Sequence, residues 1–304
     1  MIEINVNNEI SKLEQVVLGI SSDFGGIPKL QDCYDPKSKE HVINGTFPLE
    51  IDIKKELDDF LRILKKYNVK VLRPLNIPDI NQVFSRDIAF VIEEKIIIPN
   101  IIKERKKEIE GINSILDDID EENIIRTPFD VHIEGGDVIL CDKYIFVGYS
   151  EDYDFEKYKV ARTNVLALDF LRDNFSNKII KGFQLNKSDD QARMNALHLD
   201  CCFQPIGNSM AILYKEGFKN TEDVEFLIDY FGEDRIIYID QQEMYDMNSN
   251  IFSISEEVIV SSVDFKRLNK ILRKKGFIVE EVSFSEIGKM EGLLRCSTMP
   301  LKRS

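Results

Sequence analysis

Residues 138–147 read Val-Ile-Leu-Cys-Asp-Lys-Tyr-Ile-Phe-Val, and their pattern indicates the fold class of the chain. Two apolar runs enclose a polar turn at Cys141-Asp142-Lys143, which is the pattern of a β-hairpin of short, buried strands. The pattern returns elsewhere in the chain, at Ile88–Ile92 with Ile96–Ile98, at Ile251–Ile254 with Val258–Val260 and, more weakly, from Cys202 through the Gly207-Asn208 turn to Met210–Tyr214. A further strand is expected at Gln15–Ile20.

Apolar residues at helical spacing lie between these hairpins. The predicted helices are Ile53–Lys66, Ile101–Leu116, Thr163–Phe175, Thr221–Phe231 and Val263–Lys275, and a strand-like Val69–Leu72 follows the first. A strand–strand–helix–strand unit therefore returns at roughly 50 to 65 residues, which favours a repeat-built fold over an ordinary α/β fold in which strands and helices alternate. No Pro/Gly/Ser-rich joint interrupts the repeats, so we expect one α/β domain over residues 1–304.

The charge balance limits the classes of partner. With 40 basic and 54 acidic residues the net charge is -14, which disfavours nucleic acid because phosphates need clustered Lys and Arg. The basic run at residues 103–107 is interrupted by Glu104, so it is predicted to be a solvated helix face. An acidic chain instead tolerates cationic substrates.

Two further features concern the membrane and the compartment. No run of 18 apolar residues occurs and the N-terminus has no basic-then-apolar signal, so we expect no membrane association. The 5 cysteines are irregularly spaced, which fits a reducing compartment better than a disulfide framework. A cytoplasmic protein is predicted.

Four polar clusters occur at predicted turns and strand ends, where functional residues concentrate. They are Phe84–Asp87, His132–Asp137, Asn195–Asp200 and the segment around Cys296. Strand alternation would place His198 and Asp200 on one face of an extended segment. A thiol together with a histidine and several carboxylates can make a covalent-catalysis site.

Each cluster also has a structural interpretation. Cys296 could be a small buried apolar residue, and Arg86 and Asp87 could be a local ion pair. Glu134 and Asp137 could cap a turn, and His198 with Asp200 could be a polar pair on a strand edge. A metal is disfavoured, because His198, Asp200, Cys201 and Cys202 lack the spaced ligand pairs of a structural zinc site.

In this order, the motifs resemble those of the guanidino-group-modifying enzymes, which include arginine deiminases, dimethylarginine dimethylaminohydrolases and amidinotransferases. The matching segments are Phe-Ser-Arg-Asp ending at Asp87, Ile-Glu-Gly-Gly-Asp-Val from Ile133, His-Leu-Asp from His198, Asn-Ser-Asn from Asn248 and Arg-Cys-Ser-Thr-Met-Pro-Leu from Arg295. The resemblance implies a five-bladed αβ-propeller (a pentein) with a pseudo-fivefold repeat, and no cofactor.

The resemblance also implies roles for individual residues. Cys296 matches the nucleophile, His198 the general acid/base and Glu134 the carboxylate that orients it. Asp87 and Asp200 match the carboxylates that hold the guanidinium nitrogens. The further residues expected to bind substrate are Asp137, Arg162, Arg295 and Asn250.

The chemistry of a guanidinium agrees with that allocation. The group is planar and permanently charged, so it is held well by carboxylates that face its N–H groups. Its carbon is a poor electrophile, and a thiolate is the strongest ordinary side-chain nucleophile. Nearby carboxylates disfavour the thiolate of Cys296, whereas a bound cation, protonated His198 and Arg295 favour it. We therefore expect a thiol that becomes reactive chiefly when substrate or protonated His198 is present.

The chain departs from the family pattern in three places. The glycine run before the nucleophile is reduced to Gly292-Leu293-Leu294. Residues 151–160 separate Gly148-x-Ser150 from Arg162, which could meet a substrate carboxylate or lie on the surface. Residues 23–47 lack periodicity and are expected to form a loop that covers the site.

The sequence favours hydrolysis of arginine or a small arginine derivative, because the ending around Cys296 resembles that of a deiminase. The alternative is an amidinotransferase with an amine acceptor, which the stretches Leu13–Gly19 and Val71–Pro74 resemble. A second alternative is a non-catalytic propeller that binds guanidino compounds or a protein. The expected partner is a small guanidino molecule, and assembly into a homo-oligomer is compatible with the sequence.

Overall fold

The computed structural model describes residues 1–304. Its strands are β1 Leu13–Leu18, β2 Lys70–Leu72, β3 Phe90–Ile92, β4 Lys95–Ile98, β5 Ile124–Arg126, β6 Val138–Cys141, β7 Tyr144–Tyr149, β8 Ile179–Gln184, β9 Phe203–Ile206, β10 Met210–Leu213, β11 Ile236–Tyr238, β12 Phe252–Ser253, β13 Val258–Ser262, β14 Ile278–Val282 and β15 Thr298–Arg303. Its α-helices are α1 Pro36–Ile43, α2 Glu50–Lys66, α3 Ser85–Ile88, α4 Asn113–Leu116, α5 Asp152–Lys157, α6 Leu166–Asn174, α7 Thr221–Phe231, α8 Gln241–Tyr245, α9 Lys266–Lys274 and α10 Ser285–Gly288.

The strands form five three-stranded sheets with one shared topology. In each sheet the middle strand pairs antiparallel with one neighbour and parallel with the other. The antiparallel pair is a hairpin in four sheets, and helical segments lead from the middle strand to the parallel strand. The predicted strand–strand–helix–strand repeat is therefore confirmed as a mixed α/β arrangement of small sheets.

The β6–β7 hairpin shows how local sequence makes one unit. Cys141 pairs with Tyr144 across the turn, and Val138 pairs with Val147 at the open end. Asp142 takes a left-handed backbone conformation with φ 51°, which aspartate tolerates better than most residues. The pairing buries the apolar side chains of both strands against the neighbouring layers.

Helix α2 covers the first sheet and follows the sequence pattern closely. Acidic residues occupy its first turn and basic residues its last, which suits the helix dipole. The apolar side chains buried on one face are Ile53, Leu57, Phe60 and Leu64. Buried apolar residues as a whole form two clusters. One surrounds α2 and the sheets made by β9–β11 and β12–β14, and the other surrounds the sheets made by β3–β5 and β6–β8.

Two element predictions are wrong. The predicted helix Ile101–Leu116 is a 3₁₀ segment, Lys106–Ile112, followed by the short α4. Gly111 lies against Gln82 and Leu75, where a Cβ would come within 2.1 Å of the Gln82 amide, so tertiary contacts override the periodicity here. Ile88 ends α3 rather than opening a strand, and the backbone N–H of Arg86 in α3 donates to the Cys296 carbonyl.

The first sheet joins segments from opposite ends of the sequence. Strand β15 pairs antiparallel with β1, with Leu18 opposite Thr298 and Val16 opposite Pro300. Met299 and Leu301 of β15 are fully buried. This pairing fixes the segment that carries Cys296.

Among the helices of the fold, none combines the length and apolar character that a bilayer span requires.

We predict that Leu301→Ala lowers the free energy of unfolding by about 2–5 kcal/mol, because a fully buried leucine leaves a cavity when it is truncated. Urea denaturation followed by circular dichroism measures the change. Leu75→Ala is the matched control, since this side chain is 59% exposed and its loss should cost under about 0.5 kcal/mol. Equal losses in the two variants would contradict the buried role of β15.

Candidate active site

The candidate site draws one segment from each repeat. Each of these segments lies in the few residues before a sheet's first hairpin strand, or before β15 in the first sheet. The residues and the strands that follow them are Asp87 before β3, Glu134 before β6, His198 and Asp200 before β9, Asn250 before β12 and Cys296 before β15. The repeat thus places these side chains at equivalent positions in the five sheets.

Cys296 is held by Asn250. The Asn250 amide Nδ2 donates to Cys296 Sγ at 3.1 Å, and its Oδ1 accepts from the backbone N–H groups of Arg295 and Cys296 at 3.0 and 3.2 Å. Asp200 Oδ2 lies 3.7 Å from the sulfur. The thiol is therefore fixed in position between an amide and a carboxylate.

His198 and Glu134 form a buried pair. His198 Nε2 lies 2.9 Å from Glu134 Oε2, and His198 Nδ1 lies 3.8 Å from Asp87 Oδ1. Burial alone would lower the pKa of His198, but Asp87, Asp137 and Glu134 raise it above its ordinary value. Because Nε2 is bonded to Glu134, Nδ1 is the nitrogen free to exchange a proton with a ligand.

Gly136 allows this pair to approach Asp87. Its backbone N–H donates to Asp87 Oδ1 at 3.0 Å. A Cβ at this position would lie 2.5 Å from His198 Nδ1, closer than any side chain tolerates. The second glycine of the Glu-Gly-Gly-Asp motif is therefore required by close packing around the histidine.

The prediction of a solvated basic face is wrong for Arg105. Its side chain is buried and donates to Asp87 Oδ2 at 2.7 Å and to Glu108 at 2.8 and 2.9 Å. It also lies 3.6 Å from Glu134 Oε2. The neighbouring lysines 103, 106 and 107 are exposed, so a single residue of the run belongs to the site.

Arg162 is also buried rather than exposed at a helix start. It lies 3.3 Å from Glu134 Oε2 and donates to the Tyr34 carbonyl at 2.8 Å. Burial opposes ionisation of Glu134, but Arg162, the hydrogen bond from His198 and Arg105 hold the pKa of Glu134 well below its ordinary value. This geometry indicates that Arg162 keeps Glu134 charged, and it disfavours contact of Arg162 with a substrate carboxylate.

Arg295 is enclosed in the same way. It donates to Asp200 Oδ2 at 2.8 Å, to Glu9 at 2.9 Å and to the Val138 carbonyl at 2.7 Å. These acceptors use both terminal nitrogens, so the geometry favours a structural role over substrate binding. Glu9, which sequence analysis did not identify, is the second carboxylate that pairs with this guanidinium.

Asp137 holds the backbone rather than facing the thiol. It accepts from the Thr163 hydroxyl at 2.7 Å and from the backbone N–H of Leu199 at 2.9 Å. The latter bond helps to bend residues 199–201 into a 3₁₀ turn, so the prediction of an extended His198–Asp200 segment is wrong. The turn still leaves both side chains within the site.

The charges around Cys296 oppose its ionisation. Burial, followed by Asp200 and Asp87, raises the pKa of the thiol well above its ordinary value, and Arg295 offsets only part of this. The side chain is 3% exposed. At neutral pH the thiol of the ligand-free protein is therefore protonated.

Asp87, Glu134 and His198 offer donor atoms within 4.8 Å of one another, a spacing that could suit a metal ion. The two carboxylates already face the guanidinium groups of Arg105 and Arg162. A divalent cation would have to compete with these two internal cations. The donor set therefore suits a proton-transfer site better than a metal centre.

Residues 23–47 contact this network. Their Tyr34 carbonyl accepts from Arg162, and Asp35 caps the N-terminus of α1 by accepting from the Ser38 N–H at 2.6 Å. Lys37 and Ser38 in the first turn of α1 are buried. The insertion at residues 151–160 forms α5 and leads into the buried Arg162.

A family model described as N,N dimethylarginine dimethylhydrolase, eukaryotic, matches residues 49–303. The chain belongs to this family. The resemblance to guanidino-group-modifying enzymes, inferred from five short motifs, is thereby confirmed.

Relatives of this dimethylarginine dimethylhydrolase family member include an uncharacterized protein, YkgA of Bacillus subtilis (strain 168). It is 31% identical over 242 residues, which cover 79% of this chain and 77% of YkgA. The amidinotransferase SxtG of Microseira wollei, from the saxitoxin biosynthetic pathway, superposes with a TM-score of 0.76 at 18% identity, over 99% of this chain and 97% of SxtG. The N-terminal domain of ArgZ, a cyanobacterial arginine dihydrolase, gives a TM-score of 0.77 at 16% identity, over 96% and 98%.

We predict that Arg105→Met destabilises this family member by about 3–5 kcal/mol, because it leaves buried carboxylates without their cation. Urea denaturation measures the loss. Lys107→Met is the control within the same basic run, and as a surface change it should cost under about 0.5 kcal/mol. Similar losses in both variants would restore the interpretation of a solvated face.

Proposed function

We propose that the protein is a cysteine-dependent hydrolase of the guanidino group of arginine or a small arginine derivative. The observation that carries this proposal is the placement of Cys296 Sγ 3.1 Å from the Asn250 amide and 3.7 Å from Asp200, with the His198–Glu134 pair beside Asp87 in the same site. Membership of a family described as a dimethylarginine hydrolase supports the substrate class.

The carboxylates can hold a guanidinium although each has an internal partner. Asp200 uses Oδ2 for Arg295, and Asp87 uses Oδ2 for Arg105. A carboxylate has about four acceptor positions, so each retains capacity for a ligand N–H. The planar cation would be oriented by these two groups with its carbon presented to Cys296 Sγ.

The proposed reaction has two steps. In the first, binding of the cation releases the thiol proton of Cys296 to solvent, the thiolate forms a bond to the guanidinium carbon, and the C–N bond breaks as protonated His198 transfers its proton to the departing nitrogen. In the second, His198 takes a proton from water, the water oxygen bonds to the same carbon, and the C–S bond breaks to release a urea-type product and the thiol. Glu134 keeps His198 oriented throughout.

We also propose that the five sheets are the blades of one pentein αβ-propeller that forms a single catalytic domain over residues 1–304. The shared sheet topology supports this, as does the placement of one site segment before each sheet. Superposition on SxtG over 99% of the chain supports the same architecture.

Without any added amine acceptor, the wild-type protein should release a urea-type product together with ammonia from L-arginine, or together with a methylamine from an Nω-methylated arginine. Chromatography of the products, with and without glycine as acceptor, measures this. Strict dependence on the acceptor would instead establish amidino transfer. Absence of turnover on every guanidino compound would leave a binding protein.

Cys296→Ala is the matching variant, and it should lose turnover while still binding the guanidino ligand. Cys141→Ala is the control, because Cys141 is also buried but lies by Tyr230, away from the site residues. Equal activity in Cys296→Ala and Cys141→Ala would exclude the nucleophile assignment.

The rate of Cys296 alkylation should respond to both pH and a bound cation. Because burial and two carboxylates raise the pKa of Cys296, alkylation by iodoacetamide should be slow at neutral pH and rise only at alkaline pH. Methylguanidine should move the rise to lower pH, since a cation between Asp87 and Asp200 favours the thiolate. Mass spectrometry follows the reaction, with methylammonium as the control cation. A profile with methylguanidine that superimposes on the ligand-free profile would contradict cation-assisted activation.

A further inference from the structure

A cavity of about 490 Å³ lies outside the cluster of site residues. It is enclosed by the first turn of α9, by α1, by the segment after α8 and by the region around α10. None of the proposed catalytic residues lines it. Asn248 does, and Asn248 stands two residues before the Asn250 that holds Cys296.

The Asn248 side chain is the first indication of a ligand. The residue is only 3% exposed, yet its amide makes no hydrogen bond within the protein, and its Oδ1 is fully enclosed without a partner. Buried side-chain amides are nearly always hydrogen-bonded, because desolvation without a partner costs free energy. A polar ligand in the cavity would satisfy this amide.

The N-terminus of α9 is the second indication. The helix has nine residues, and its N-cap position, Phe265, supplies no side-chain hydrogen bond. The backbone N–H groups of Arg267 and Leu268 make no hydrogen bond in the protein. Free N–H groups and the helix dipole together favour an anion at such an end.

One cation that faces the cavity is free to meet an anion. Four cations and three carboxylates line the cavity, although the chain as a whole has a net charge of -14. Arg267 is paired with Glu243 at 2.6 Å, Lys289 is paired with Glu286 and Lys37 donates to the Tyr245 carbonyl, while the carboxylate of Asp264 has no side-chain partner. Lys266 makes no ion pair or side-chain hydrogen bond and stands at the first position of α9.

The segment from Met247 to Asn250 connects the cavity with the thiol. Met247 has a left-handed backbone conformation, with φ 68°, which is strained for this residue. The Ser249 hydroxyl donates to the Asp200 carbonyl at 2.9 Å, and Asn250 Nδ2 donates to Cys296 Sγ at 3.1 Å. The two residues that follow Asn248 therefore hydrogen-bond directly to Asp200 and to Cys296.

We propose that this cavity binds a small molecule bearing a carboxylate or phosphate group, and that its occupancy changes the reactivity of Cys296 through residues 247–250. The oxyanion would meet the N-terminus of α9 and Lys266. The Asn248 amide would hydrogen-bond the remainder of the ligand.

Isothermal titration calorimetry with inorganic phosphate and, separately, succinate at constant ionic strength tests the binding. We expect saturable binding of at least one probe, and the two arms distinguish a phosphate from a carboxylate ligand. Lys266→Glu should weaken that binding about tenfold, the usual effect of losing a hydrogen bond to a charged group. Lys270→Glu is the matched control, because Lys270 is exposed on the same helix but does not line the cavity. Binding of neither probe, or equal weakening in both variants, would overturn the site.

The coupling is tested by the rate of Cys296 alkylation with and without the probe that binds. Occupancy should change this rate about fivefold or more, the low end of ordinary coupling between two sites. In Lys266→Glu the probe should have no effect at the same concentration, whereas in Lys270→Glu the effect should persist. Binding with an unchanged alkylation rate would overturn the link through residues 247–250. Neither measurement requires turnover, so failure of the proposed hydrolase activity would leave this test intact.

Discussion

The burial of several carboxylates within one site is the constraint on which the rest of the structure depends. An ionised carboxylate that loses its partner in the interior costs several kcal/mol, so buried carboxylates need partners within the protein. The protein meets this demand with its own guanidinium groups: Arg295 beside Asp200, Arg105 beside Asp87, and Arg162 beside Glu134. The group that a substrate would present is thus already the group that holds the site together.

The same constraint governs the thiol. Burial and the nearby carboxylates of Asp200 and Asp87 raise the pKa of Cys296, so the charges that make the site attractive to a cation also keep the thiol protonated in the absence of a ligand. A protonated, 3% exposed thiol is also a poor target for oxidants, which attack the thiolate. The carboxylates beside Cys296 therefore also protect its thiol from oxidation.

Short-range features of the fold and the site could be predicted from the sequence, whereas the ion-pair partners of the buried charged residues could not. The hairpins follow from alternating apolar runs and turns, and the motif around Glu134 follows from its glycines. Arg105 stands in a run that looks like any solvated basic helix, and nothing local shows that it points inward to Asp87. Arg295 and Glu9 meet only because sheets far apart in sequence come together, and such pairings depend on tertiary structure that periodicity cannot describe.

The pairing of β15 with β1 has a kinetic consequence. These strands are separated by nearly the whole sequence, and contacts of that separation form slowly because loop closure costs chain entropy. The other four sheets each form from neighbouring segments, so they can assemble earlier. Cys296 lies immediately before β15, and the event that brings it to His198 is therefore expected to be among the last in folding. Partly folded chains would then contain the His198–Glu134 pair while Cys296 is not yet positioned.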